Sequence, residues 1–135
     1  MVKTFKKILV SKSRAENYKQ VALNFFNGAR VATEFEYWNA AGVLIVHSAI
    51  AFGDAITIKF GGVKSKGEDH HDILGLINSL VSDTEEKSKA LTQLSSILDH
   101  KNLVSYSGDI YEFKDINKLW KYLNRFKGWA EIMLK

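Results

Sequence analysis

The sequence predicts an all-α protein, an up-and-down antiparallel bundle of four to five helices. The 135 residues include no proline, so no predicted helix is interrupted. Apolar residues recur at spacings of three and four along most of the chain, and no stretch alternates clearly enough to indicate a strand. A chain of this length supports one hydrophobic core. We therefore expect a single domain over residues 1–135, with a basic segment at 1–12 and the bundle at about 13–134.

The first two predicted helices each begin at a match to the capping box. Ser13-Arg14-Ala15-Glu16 has this spacing and predicts the start of the first helix. Its apolar stripe consists of Tyr18, Val21, Ala22, Phe25 and Ala29. Thr33-Glu34-Phe35-Glu36 is a second match and predicts the start of a helix that runs to about Phe60. Gly61-Gly62 ends that helix, because glycine accepts the left-handed backbone of a helix C-terminus.

Three further helices follow a basic loop at Gly61–Glu68, which we expect to be flexible. Asp69 can cap the third helix, and Ser82–Glu86 begins the fourth, where acids complement the helix dipole. The fourth pattern fades near Ser105–Gly108. The apolar positions are Ile73, Leu76, Ile77 and Leu80 in the third helix, Leu91, Leu94, Ile97 and Leu98 in the fourth, and Ile116, Leu119, Trp120, Leu123, Phe126, Ala130 and Met133 in the fifth.

Composition excludes several classes of function. The chain has no cysteine, so it has no disulfide framework, thiolate metal site or cysteine nucleophile. Its N-terminal segment does not resemble a secretory signal, which predicts a cytoplasmic protein. The apolar run of the second helix is interrupted by His47, Ser48 and Asp54, and it falls short of the ~18–20 apolar residues that a membrane span needs. We therefore expect no membrane partner.

His47 and Asp54 are polar residues inside the most apolar segment of the chain. They lie seven residues apart, which places both on one face of a helix but about 10.5 Å apart, too far for a direct bond. An unpaired polar group in a core costs a few kcal/mol, so each needs a partner. Two interpretations stay open: a polar seam between helices, or a site at which both residues contact a ligand.

The run Asp69-His70-His71-Asp72 suggests a metal site at first sight. However, adjacent residues project about 100° apart on a helix, and four consecutive side chains seldom converge on one ion. Capping of the third helix by Asp69, with Asp72 in its first turn, explains the same residues. We predict no metal site and no cofactor.

A basic stripe follows one side of the fifth predicted helix. Its members, at i, i+4, i+7 and i+11, are Lys114, Lys118, Lys121 and Arg125, and Tyr122 and Trp129 lie near that side. Such a stripe can follow a phosphate backbone while aromatic rings stack on bases. The same pattern is typical of a solvated helix face. The four residues are therefore candidates for nucleic-acid binding.

Over about Ser13–Leu134 the chain resembles the HEPN superfamily (higher eukaryotes and prokaryotes nucleotide-binding domain). The resemblance rests on the run AAGVLIVHSAIAFGDAITIKF, the glycine-containing loop, a histidine at the opening of the third helix (His70 or His71), KNLVSYSG, and FKDINKLWKYLNRFKGWAEIM. It is greatest to a small prokaryotic subgroup with DH at the loop end and KNxVxYS late in the fourth helix. The resemblance implies a bundle of four or five helices that is often homodimeric.

The resemblance also locates a possible catalytic segment. Active HEPN ribonucleases carry an Arg-x4–6-His motif, in which histidine acts as general acid or base and arginine steadies the phosphate. Here Lys101 stands at the arginine, Asn102 at the following polar residue and Tyr106 at the histidine. Lysine binds phosphate without a bidentate fork, and a tyrosine with a pKa near 10 replaces imidazole poorly at neutral pH. The usual ribonuclease scheme is therefore not expected.

The sequence-based hypothesis is a non-catalytic HEPN-like domain that binds a nucleotide, a nucleic acid such as RNA, or a partner protein. The resemblance implies a homodimer and a nucleotidyltransferase partner, in a toxin–antitoxin or nucleotide-transfer context. The ligand-binding candidates are His47, Asp54, Lys101, Asn102 and Tyr106. One alternative is a divergent, metal-independent ribonuclease that uses the last three residues for catalysis. A second alternative is a structural dimerisation module.

Overall fold

A computed structural model describes residues 6–67, 69 and 71–135, which fold into helices with one small sheet. The elements are β1 (Lys7–Leu9), a 3-10 turn (Lys12–Arg14), α1 (Ala15–Glu34), α2 (Trp38–Gly61), β2 (Val63–Ser65), α3 (Asp72–Leu80), α4 (Glu85–Leu98), α5 (Lys101–Tyr106) and α6 (Phe113–Met133). The predicted all-α class is confirmed. The fourth predicted helix is divided into α4 and α5, and the fifth is α6.

Helix α2 is the centre of the structure, because it contacts α1, α3, α4, α5 and α6. Most of its residues are buried, including Ile45, Phe52 and Ile56. Of the described residues, only α2 is long and apolar enough to cross a membrane, and 78% of that apolar window is buried inside the bundle. This is the arrangement of a core helix in a soluble protein.

Two side chains of α2 link the ends of this helix to the ends of α6. Near the start of α2, the Asn39 amide donates to the carbonyl of Asp109 and accepts from the backbone N–H of Tyr111, just before α6. Near the other end, the Lys59 ammonium donates to the carbonyls of Met133 and Lys135. The two helices therefore run in the same direction, and α1 runs antiparallel to both.

Two predicted helix ends are confirmed by their backbone geometry. Helix α2 ends at Gly61 and is capped by Gly62, which has φ 64° and ψ 30° in the left-handed region. Helix α4 begins after Thr84, whose side chain accepts a hydrogen bond from the backbone N–H of Lys87 at 3.0 Å. In both cases the signal is local in the sequence.

The two predicted capping boxes are wrong. Helix α1 begins at Ala15 without a side-chain cap. At Thr33, α1 continues to Glu34 instead of giving way to a new helix. The Thr33 hydroxyl donates to the carbonyl of Ala29 at 2.8 Å and accepts from the Trp120 indole N–H at 3.0 Å, so it is engaged by its own helix and by α6. The chain reverses at Glu36, which has φ 61°, before α2 begins.

The sheet is a feature that the sequence did not predict. Strands β1 and β2 pair antiparallel, with Ile8 opposite Lys64. The predicted basic segment and the predicted flexible loop therefore contain strands of three residues each, too short for alternation to reveal. Residues 1–5 of the basic segment and Glu68 of the loop lie outside the described residues.

The start of α3 also differs from the prediction. Helix α3 begins at Asp72, and Asp69 is not its cap. The Asp69 carboxylate instead accepts the backbone N–H of His71 at 2.9 Å, within the turn that precedes the helix. Asp72 lies in the first turn, as predicted. His70, part of the same predicted motif, lies outside the described residues.

Candidate ligand-binding site

One face of α2 carries the polar residues that the sequence singled out. His47, Ile50 and Asp54 follow one another at spacings of three and four, so they lie along the same side of the helix. Strand β2 and the first turn of α5 lie beside this face. They form a crevice of about 20 Å³ with Ile50, lined by Ser65, Gly67, Ile73 and Lys101. The crevice has room for about one water molecule, so a larger ligand would lie on the surface around it, between β2 and α5, which we call the α2 groove.

Asp54 is a buried carboxyl group that lacks full compensation. It is 7% exposed, and its Oδ1 accepts no hydrogen bond from the described residues. Its Oδ2 lies 3.8 Å from the Nζ of Lys64. Burial raises the pKa of Asp54 to about 6, and the positive charge of Lys64 limits that rise. Near neutral pH this side chain is thus a charged acceptor with a free oxygen in a poorly solvated position.

Lys64 reaches Asp54 because β1 holds β2 in place. Its side chain is 24% exposed. The Nζ lies 5.9 Å from the centre of the Tyr18 ring in α1, within range of a cation–π contact. The sequence did not single out Lys64, because its partner lies ten residues earlier in another element. Nothing in the sequence of the predicted basic loop indicated that the side chain of Lys64 would point towards α2.

His47 of α2 and Lys101 of α5 interact electrostatically. The His47 ring lies 5.7 Å from the Phe25 ring, centre to centre. Partial burial lowers the pKa of His47, and the positive charge of Lys101 lowers it further. Lys101 is half-buried at the first position of α5. The structure therefore brings together two of the predicted ligand-binding residues from distant parts of the sequence.

The predicted set Lys101, Asn102 and Tyr106 is not gathered at this groove. Asn102 is exposed, and Tyr106 is 84% exposed at the last position of α5. Five positions on an α-helix correspond to a rotation of about 140°, so Lys101 and Tyr106 project to different sides. Of the three residues, Lys101 alone lines the crevice beside α2.

His100 has a separate role next to this segment. Its Nδ1 lies 2.6 Å from the hydroxyl of Tyr111, which is 6% exposed, and the two rings meet edge to face. Burial lowers the pKa of His100, in opposition to the nearby carboxylates of Asp99 and Asp115. This pair ties the end of α4 to the start of α6. Sequence reasoning did not identify Tyr111.

The basic stripe is exposed along α6 and does not enter the groove. All four of its residues are exposed: Lys114, Lys118, Lys121 and Arg125. The nearby aromatic residues Tyr122 and Trp129 are half-buried against the core. Within the described residues, no group of three or more His, Asp or Glu side chains could hold a metal ion.

Comparison with family models, curated proteins and solved structures gave no match. The resemblance to the HEPN superfamily therefore stays a prediction from the sequence.

Proposed function

We propose that this chain is a non-catalytic binding domain whose α2 groove holds a phosphate-bearing ligand, a nucleotide or a nucleic acid. The observation that carries the proposal is the pair of half-buried lysines, Lys64 and Lys101, which reach the same face of α2 from β2 and α5. Ammonium groups in such positions bind phosphate as point charges. The unpartnered Oδ1 of Asp54 adds an acceptor for an N–H or O–H donor of the same ligand.

The position of Tyr106 supports binding without cleavage. A phosphate held by Lys101 in the groove would lie on the side of α5 away from Tyr106, which is 84% exposed. A general acid or base must come within hydrogen-bond reach of the proton that it transfers. His47 is on the groove face of α2, but partial burial and, to a smaller extent, the positive charge of Lys101 lower its pKa and make it a weaker base.

The resemblance to the HEPN superfamily adds further parts to the proposal. We propose a cytoplasmic homodimer that works with a nucleotidyltransferase, in a toxin–antitoxin or nucleotide-transfer context. These expectations rest on the sequence motifs alone.

Binding measurements on groove variants test the proposal. The full chain would be titrated into a labelled single-stranded RNA and, separately, into ATP, at low and moderate salt. Replacing Lys101 with alanine or Lys64 with glutamine should weaken binding about tenfold, the value of one charge-assisted contact. The matched controls are Lys114→Ala and Lys121→Ala, which remove the same charge from exposed positions of α6. They should change affinity by less than about twofold.

Three results would contradict the proposal. Weaker binding in the two α6 variants alone would move the binding surface to the basic stripe. Metal-independent RNA cleavage that is lost in both Lys101→Ala and Tyr106→Phe would establish the ribonuclease alternative. No binding of RNA or ATP, with a stable dimer in light scattering, would favour a structural dimerisation module.

A further inference from the structure

A second groove lies between α4 and α6, away from the α2 face. Its volume of about 550 Å³ is in the range of pockets that hold small ligands. The lining residues are Glu86, Lys89, Ala90 and Gln93 of α4 and Asn124, Arg125, Gly128, Trp129 and Ile132 of α6. The two helices run antiparallel, because His100 after α4 bonds to Tyr111 before α6. Gln93 and Arg125 therefore lie towards one end of the groove, and Glu86 and Ile132 towards the other.

Gly128 leaves the floor of this groove open. It lies in the interior of α6, and a β-carbon added to it would meet no atom within 4 Å. Glycine is among the poorest helix formers, and at this position no close packing of the protein compensates for it. An absent β-carbon does allow an occupant of the groove to approach the backbone closely. Trp129 and Ile132, which is 64% exposed, provide apolar surface on either side.

Gln93 places an unsatisfied acceptor in the same groove. Its Oε1 is buried and accepts no hydrogen bond from the described residues. A buried carbonyl oxygen without a donor is unfavourable. A ligand with an N–H or O–H group would remove that penalty.

A positive charge lies near this acceptor. Arg125 is exposed, and its side chain makes no ion pair or hydrogen bond among the described residues. Lys89 also lines the groove, but its positive charge is already paired, because its Nζ lies 3.4 Å from Glu85. Arg125 is therefore the cation available to an anion in the groove, and its planar guanidinium suits a carboxylate, sulfonate or phosphate.

We propose that the α4–α6 groove is a binding site for a small planar aromatic anion that carries an N–H or O–H donor. The ring lies over Gly128 against Trp129, the donor bonds to Gln93 Oε1, and the anionic group pairs with Arg125. The site shares no residue with the α2 groove, so it stands or falls independently of the function proposed above.

Anilinonaphthalene sulfonate is a suitable probe, because it combines a planar aromatic system, a sulfonate and one N–H. We expect it to bind the full chain saturably, with one probe per chain. Gly128→Leu, which fills the open space, should weaken binding at least about tenfold, and Arg125→Gln by about threefold to tenfold. Lys121→Gln is the matched control, since it removes a charge from a neighbouring exposed position of α6, and its affinity should stay unchanged.

A second measurement keeps the test independent of stability. In proton–nitrogen NMR spectra of the unmutated chain, the probe should shift the Trp129 indole and Gly128 amide signals before those of Trp38, which lies near the far end of α6. Unchanged affinity in Gly128→Leu, or shifts confined to residues outside the groove, would overturn the proposal. So would a dimer that dissociates in Gly128→Leu, because the groove would then belong to a second copy of the chain.

Discussion

Two buried charged side chains of this protein are compensated very differently. Lys87 is 3% exposed, and its ammonium donates to the carbonyls of Asn78 and Val81 at 3.1 and 3.0 Å and to the carboxylate of Asp83. Asp54 is 7% exposed, yet it has one cation at 3.8 Å and an oxygen without a partner. Burial penalises both charges, but only the first has its hydrogen-bonding capacity filled.

This difference separates architecture from a candidate site. Lys87 joins the end of α3 to the start of α4, and the three N–H groups of its ammonium all bond to acceptors of the protein itself. Asp54 keeps an unfilled acceptor that only something outside the described residues can satisfy. Buried polar groups in native structures are usually bonded, so the exceptions point to places where a ligand or water belongs.

The largest expected effect is the loss of the Lys87 ammonium. Lys87→Met keeps an apolar stem of similar length but leaves the carbonyls of Asn78 and Val81 without their donor. We expect unfolding free energy to fall by about 3 kcal/mol, measured by urea denaturation. Lys89→Met, two residues along and exposed, is the control and should lose less than about 0.5 kcal/mol. Equal stabilities of the two variants would show that Lys87 has no structural role.

The second effect has the opposite sign and depends on pH. The pKa of Asp54 is raised from 3.8 to about 6, so the folded state holds its proton more tightly than the unfolded state does. Its contribution to stability therefore falls as pH rises between these values and stays low above them. Asp54→Asn should raise unfolding free energy by up to about 3 kcal/mol at slightly alkaline pH, and the gain should shrink to about 0.5 kcal/mol at pH 4.

Urea denaturation of Asp54→Asn and the unmutated chain at both pH values checks this prediction. The pKa values of His47 and His100 are also lowered in the folded state. Both histidines are present in both proteins, so their contribution cancels in the difference between the two unfolding free energies. Lower stability of Asp54→Asn at the alkaline value would mean that the carboxylate is well compensated, and the comparison with Lys87 would fail.

Of these two buried charged residues, the sequence singled out only Asp54. Asp54 stood out because a charge interrupts an apolar run, which is a local signal. Lys87 did not, since the surrounding segment SDTEEK is typical of a solvated helix start. Its side chain points inward because its ammonium bonds to carbonyls at the end of α3. No local sequence pattern indicates that those carbonyls lie there. Lys64 was missed for a related reason, because the pairing of β1 with β2 is non-local.

The helix boundaries repeat this division between local and tertiary causes. The end of α2 at Gly62 and the start of α4 at Thr84 follow from single residues whose own chemistry determines the geometry. At Thr33 the capping pattern was equally good, but Trp120 of α6 occupies its hydroxyl and the helix continues. The apolar spacings therefore predicted the bundle, whereas contacts between elements determined the corners and the groove.

Two helical glycines extend the comparison to packing. A β-carbon added to Gly53 would lie 2.5 Å from Ile73 Cδ1 and 3.3 Å from Ile73 Cγ1 in the core between α2 and α3. Ile73 is 1% exposed and has little room to move. We therefore expect Gly53→Ala to lower unfolding free energy by about 1–2 kcal/mol despite the better helix propensity of alanine. A more stable variant in urea denaturation would show that the core can relax there.

Gly128→Ala carries the smallest expected effect and the most selective one. The added methyl meets no atom within 4 Å, so the substitution changes helix propensity without a clash. Unfolding free energy should rise by about 0.5–1 kcal/mol in urea denaturation. Gly53→Ala is the internal control, because the same chemical change is expected to act in the opposite direction there. If Gly128→Ala also weakens binding of the aromatic probe, an occupant of the groove explains why a destabilising glycine stands at this position. If stability rises and probe binding is unchanged, the ring does not lie over Gly128, and the placement proposed for it in the α4–α6 groove is wrong.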